Sequence, residues 1–209
     1  MRAHSHTNLP GAATARARVE TPVTVNVPLF RSLIQMLAED RRWVVLDLGA
    51  ARPQTVELLN RYRCRLDIAN FSEAADTLAD ADDSVQPMNR AEALLPAHHA
   101  EPTDMVFCWD FLNYLNRSAL TALMAITAAR CRPGAFVHAL IVYSEPLMQQ
   151  QPGQFAPVDD GHLQNLSAGK PARIAPRYSP DDLHTCMPNF TIERVRLLSN
   201  GMQEYLFRV

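Results

Sequence analysis

From residue 28 onward, short runs of β-branched and aromatic residues alternate with segments whose apolar residues recur every three to four positions. The runs are "WVVLDLG" (43–49), "CRLDIA" (64–69), "DMVFCWD" (104–110) and "AFVHALIVYS" (135–144). The periodic segments are "PLFRSLIQMLAEDRR", "PQTVELLNRY", "SEAADTLADA" and "NRSALTALMAITAARC". Runs that are apolar throughout are expected of strands covered on both faces, and their alternation with helices predicts a mostly parallel, doubly wound sheet. Pro28 and Pro53 suit the first position of a helix, Ser72 suits an N-cap, and "RPGA" (132–135) reads as a turn. "SVQPMN" (84–89) reads as a third strand that must lie outermost, because Pro87 cannot donate to a central ladder. "FTIERVRLL" and "EYLFRV", joined through "SNGMQ", close the chain as an antiparallel hairpin and bring the expected sheet to seven strands.

The remaining chain divides simply. Residues 1–24 carry several arginines, one acid and no periodicity; they read as a flexible tail rather than an organelle-targeting peptide. One domain is expected over 25–209, with an insertion at 145–180 dense in Pro, Gly and Gln. That insertion holds a hairpin signal at "VDDGHL" and ends before a short helix begun by Ser179.

Bulk composition excludes some functions. A net charge of −2 gives no electrostatic footprint for nucleic acid or an anionic membrane, and no apolar run is long enough to span a bilayer. The four scattered cysteines form no CxxC pair and read as buried thiols, which places the chain in the cytoplasm. The histidines show no ligand spacing. His4 and His6 fall in the tail, His98 and His99 in a loop, and His138 alternates within a core strand, so no metal is expected.

Four stretches in order, "VVLDLGAA", "LDIANFSEAA", "TDMVFCWDFLNYL" and "CRPGAFVHALIVYS", together resemble the class I S-adenosylmethionine (SAM) dependent methyltransferases, a Rossmann-like superfamily. The resemblance covers nearly everything from Pro28 onward. It implies SAM as cofactor, held by Asp47, Gly49, Ala50, Asp67, Ile68 and Trp109, and a small-molecule acceptor met by Asp110, Asn113 and Tyr114. Asp67 follows Asp47 by 20 residues, the distance at which an acid reaches a ribose hydroxyl in a βαβ nucleotide site.

The sequence also departs from that pattern. Ala51 and Pro53 stand where the loop often has its second and third glycines, and Arg90 stands where an acid usually takes the adenine amino group. Pro53 has a purely structural reading as a helix initiator. Asp67 also has a plain reading as a loop acid or cap, Trp109 as core, Asp110 as a cap and Tyr114 as a packing residue. Two functions therefore stand: methyl transfer to a small molecule, or a non-catalytic methyltransferase-like protein that binds a partner. On the first reading, 145–180 forms a lid with Phe155 and Tyr178 for apolar contact and Arg173 and Arg177 for an anionic acceptor.

Overall fold

The computed structural model describes residues 23–71, 85–97, 100–152, 155–166 and 171–209. The expected helix at 72–81 with its Ser72 cap, His98, His99 and the first 22 residues of the tail lie outside these.

Six strands form the main sheet: β2 (Trp43–Asp47), β3 (Cys64–Ile68), β4 (Thr103–Trp109), β5 (Cys131–Val142), β10 (Thr191–Leu197) and β11 (Met202–Arg208). Their order is β10-β11-β5-β4-β2-β3, with the β3–β2–β4–β5 pairs parallel and β11 antiparallel to both β5 and β10. The side chains of β2 and β4 are buried along their whole lengths, as their mostly apolar sequences require, whereas β3 at the edge is half-buried throughout. The helices are α1 (Pro28–Met36), α2 (Pro53–Leu59), α3 (Val85–Leu94), α4 (Arg117–Arg130) and α5 (Pro180–Cys186). Pro28 and Pro53 both open their helices, Asn116 caps α4 by accepting from Ala119 N–H, and Ser179 caps α5 in a reciprocal capping box with Asp182.

Among the described residues the sheet has six strands rather than seven. The segment read as an outer third strand is the start of α3. Pro87 occupies the third position of that helix, where a backbone N–H would have no intrahelical partner, so its missing donor costs nothing there. The proline excludes a central strand, but it is equally compatible with a first helical turn. Arg90 accordingly sits in α3 and not at a strand end. The "RPGA" stretch is part of β5 rather than a free turn: residues 132–135 stand opposite Asp104 alone, and Gly134 takes the bulge at φ +82°.

The insertion is also more regular than its composition suggests. It contains β6 (Leu147–Gln149), β7 (Phe155–Asp159), β8 (His162–Asn165) and β9 (Ala172–Ile174). The "VDDGHL" hairpin joins β7 to β8, and β8 pairs in turn with β1 (Val23–Asn26). Val23 and Thr24, placed in the tail by composition, are thus the first residues of a three-stranded sheet. β6 and β9 form a separate antiparallel pair.

Candidate active site

In this sheet β2 leads through α2 to β3 on one side, while β4 lies on the other, so the strand order reverses between β2 and β4. A crevice outside the carboxyl ends of the strands opens at such a switch point, because the loops there turn away from each other. Here those ends are Asp47–Gly49 and Trp109–Asp110. The ladder continues past β2 through Leu48 N–H to Phe107 O, Ala69 N–H to Asp47 O and Phe71 N–H to Leu48 O, which fixes the loop backbones.

Asp47 is fully buried. Its Oδ1 accepts from Gly49 N–H at 2.7 Å and from the indole N–H of Trp109 at 2.6 Å. Its Oδ2 is buried without a partner. Burial pushes this carboxyl up to about 6, against the pull of the two hydrogen bonds from Trp109 and Gly49. Trp109 is buried at φ +50°, a sparsely populated backbone for a bulky residue. A Cβ on Gly49 would stand 2.5 Å from Trp109 Cδ1, so glycine is required here for the indole to lie against the loop. Ala50 is half-buried beside it. Arg52 is the N-cap of α2 and Pro53 its first residue, which accounts for the proline structurally.

Asp67 and Ile68 end β3, with Ile68 in register with Asp47. Asp67 is half-buried, and Arg65 donates to it through both Nε (3.2 Å) and an Nη (3.0 Å). Both bonds fall on Oδ2. Arg65 also reaches Glu101 at 3.1 Å, so Asp67 belongs to a small ion-pair network on the sheet face.

Asp110 is buried at the start of a 3₁₀ turn, Phe111–Tyr114. Asn113 donates both amide hydrogens to backbone, to Asp110 O at 2.7 Å and Leu140 O at 2.8 Å, and its Oδ1 accepts from Val142 N–H at 2.9 Å. It therefore braces the loop after β4 against the end of β5. Tyr114 donates to Gln151 O at 3.1 Å, with its hydroxyl 3.5 Å from Asp110 Oδ2. Burial and the adjoining Asp110 carboxylate push its phenol far up, and its bond to Gln151 O ties the loop after β4 to the 145–180 segment. Beyond Asp110 lies a cavity of about 170 Å³, whose walls come from the ends of β4 and β5, from β6, β7 and β8, and from the β10–β11 turn. Arg173 stands over the Tyr114 ring, 5.8 Å from its centroid, and Arg177 is exposed.

Two features were not found in the sequence. Glu204, fully buried in β11, accepts from Leu29 N–H at 3.0 Å and Phe30 N–H at 2.7 Å at the start of α1, and lies 3.0 Å from His138 Nε2. Phe30, Phe107, Trp109 and His138 form one ring cluster behind the crevice, with centroids 5.3 to 6.4 Å apart. The only signal in the sequence was a carboxylate on a mostly apolar closing strand. The polar groups of the cavity, from β6 and β8, had no signal, because they sit in a stretch without periodicity.

Superposition on solved structures decides the architecture. The chain matches an S-adenosylmethionine-dependent methyltransferase from Clostridium acetobutylicum at a TM-score of 0.53 and 12% identity, covering 88% of this chain and 92% of that one. It matches the CcbJ methyltransferase from Streptomyces caelestis at a TM-score of 0.51 and 13% identity, over 86% and 94% of the two chains. The chain has the class I methyltransferase fold. No family model matches the sequence, and no curated protein is similar to it in sequence. Among the described residues no group of three or more His, Cys, Asp or Glu is placed to hold a metal ion, and no helix is long and apolar enough to cross a membrane.

Proposed function

We propose that this protein is a SAM-dependent methyltransferase acting on a small molecule. The observation that carries the reading is the orphaned Oδ2 of Asp47, buried at the switch point of a methyltransferase fold. A buried carboxylate oxygen without a donor is costly, and a cationic amino group is the chemistry that relieves it. SAM carries an α-amino group, so the residues fit it at this end. Gly49 and Ala50 would line it with backbone, and Asp67 retains Oδ1 for a ribose hydroxyl beside Ile68, since Arg65 engages only Oδ2. When bound, SAM supplies an electrophilic methyl group on a sulfonium sulfur.

The chain's own contribution is then chiefly geometric. Trp109 and Asp110 come from one strand end, so the residue against the cofactor loop and the residue at the cavity share one backbone. Asn113 locks that loop to β5, which holds the cavity at a fixed distance from Gly49. Methyl transfer depends on such alignment more than on strong acid–base help. On this reading Asp110 orients an acceptor hydroxyl or amine, or takes its proton.

Calorimetry with SAM and its demethylated product tests the reading. Asp67→Ala should weaken binding by about 1–3 kcal/mol if the ribose bond is made. One observation favours the rival reading of a non-catalytic binding protein: the Trp109 indole already lies in the space beside Gly49. That reading predicts no SAM binding at any concentration.

A further inference from the structure

The cavity beyond Asp110 draws its polar groups from three separate stretches of chain. Asp110 is buried at its inner end, Glu145 stands at its rim, and Gln149 contributes from β6. Met148, Phe155 and Met202, all buried, form the apolar wall. About 170 Å³ is close to the ~150 Å³ that holds a single benzene ring, so the occupant is one ring or a short branched chain.

The hydrogen-bonding character of this space is one-sided. As carboxylates, Asp110 and Glu145 offer acceptors and no donor. The side-chain oxygen of Gln149 is buried without a partner, so it too is an acceptor awaiting a donor. Of the nearby donors, Asn113 has spent both amide hydrogens on backbone and Tyr114 directs its hydroxyl to Gln151 O. Asn165 and Asn200 also line the space, but a neutral amide suits a donor or an acceptor and does not bias the choice. Among the described residues no cation lines the cavity; Arg173 stays over the Tyr114 ring. A carboxylate or phosphate entering here would meet two like charges and an orphaned carbonyl, which is how a site rejects a ligand class.

We propose that this cavity is the acceptor pocket and that it takes a small amine, whose N–H groups are received by Asp110, Glu145 and the Gln149 carbonyl. The proposal rests on the methyltransferase reading and replaces the anionic acceptor that Arg173 and Arg177 suggested in the sequence. Those two arginines lie in the same inserted segment, yet neither is among the residues lining the cavity.

The test uses two probes of matched shape and opposite charge, 2-phenylethylamine and phenylacetate, titrated by calorimetry into the full chain without SAM. The amine should bind at least tenfold more tightly than the carboxylate. Glu145→Gln, at an exposed position, should leave the circular dichroism spectrum unchanged and narrow that preference several-fold. Gln149→Leu should weaken the amine alone. Equal binding of the two probes, tighter binding of phenylacetate, or no binding of either at millimolar concentration would overturn the amine assignment. SAM titration separates the two readings. SAM binding with phenylacetate preferred rejects the amine but keeps the cofactor site, whereas amine binding without SAM binding means the cavity is not an acceptor pocket.

Discussion

Trp109 donates its indole N–H to Asp47 Oδ1 at 2.6 Å, so the end of β4 closes directly onto the end of β2 across the crevice. The contact satisfies one oxygen of a carboxylate that has no access to water. Trp109→Phe keeps most of the ring packing against Phe30 and Phe107 but removes the donor, and should cost about 1–3 kcal/mol in urea unfolding. The same contact reports on ligand. The indole lies where a group approaching Gly49 must pass, so SAM should change tryptophan emission. The chain has two tryptophans, and in Trp109→Phe only the buried Trp43 remains, so the change should vanish. SAM binding with unchanged emission in the wild type would mean that the ligand does not reach the Gly49 loop.

Asp47 also makes stability depend on pH in an unusual direction for an aspartate. Its folded-state pKa is about 6 against 3.8 for the free side chain. Below the unfolded value both states are protonated and burial carries no ionisation penalty. Between about 4 and 6 the unfolded chain ionises while the folded one keeps its proton, so stability falls as pH rises. Above the folded value the penalty is complete and constant, about 3 kcal/mol for a shift of this size. Asp47→Asn removes that dependence. The stability of Asp47→Asn relative to wild type should therefore climb between pH 4 and 6 and then level off, as read from urea curves at each pH. A difference that stays flat over this range would show that Asp47 is not held up by burial.

The parts legible in the sequence were those governed by local pattern. β2, β4 and β5 announced themselves because each carries a long apolar run of the kind a strand covered on both faces needs, and α1 and α4 because one apolar stripe recurs each turn. Val85–Leu94 was misread because Pro87 forbids only a ladder donor, a condition that a first helical turn meets as well as an outer strand. β6 and β9 were missed because short strands paired outside the main sheet need little apolar alternation, whereas the β7–β8 hairpin was signalled by its Asp-Gly turn. In the crevice, Asp47, Gly49 and Trp109 were identifiable by position. What sequence could not supply was that the tryptophan folds back onto the aspartate. That depends on a positive φ at Trp109, which no residue preference signals. Glu204 shows the same limit, since its partners lie at the other end of the chain.

Glu204 joins three elements that are distant in sequence. Its carboxylate sits at the positive end of α1, accepting from two of the N–H groups the helix itself cannot satisfy, and it meets His138 on β5. Glu204→Gln keeps the shape but offers one acceptor oxygen in place of two, which should cost about 1–3 kcal/mol. Glu204→Leu orphans both N–H groups and should cost more than Gln does. Chemical denaturation of the pair checks this order. If Leu were no worse than Gln, water and not Glu204 would be satisfying the start of α1.

The inserted segment should separate into two parts by amide exchange. β8 is flanked by both β1 and β7, the hairpin carries the buried side chains of Phe155, Ala156 and Leu163, and Val27 N–H bonds Gly161 O at 2.9 Å. β6 and β9 share only three residue pairs and expose Leu147 and Ile174 on their outer side. Protection follows buried contact and ladder neighbours, so β8 amides should exchange slowly and those of β6 and β9 quickly. On this prediction the region that composition marked as one lid divides, with the hairpin a fixed wall of the domain and the β6–β9 pair the part that closes over the cavity. Because Gln149 lies on β6 and Phe155 opens β7, the cavity spans both parts. Saturating the protein with 2-phenylethylamine should then slow exchange at 147–149 and 172–174 while leaving β8 unchanged. Uniformly fast exchange across 145–180 in the free protein would mean that the hairpin is not a wall, and equal slowing at β8 would mean that the two parts close together.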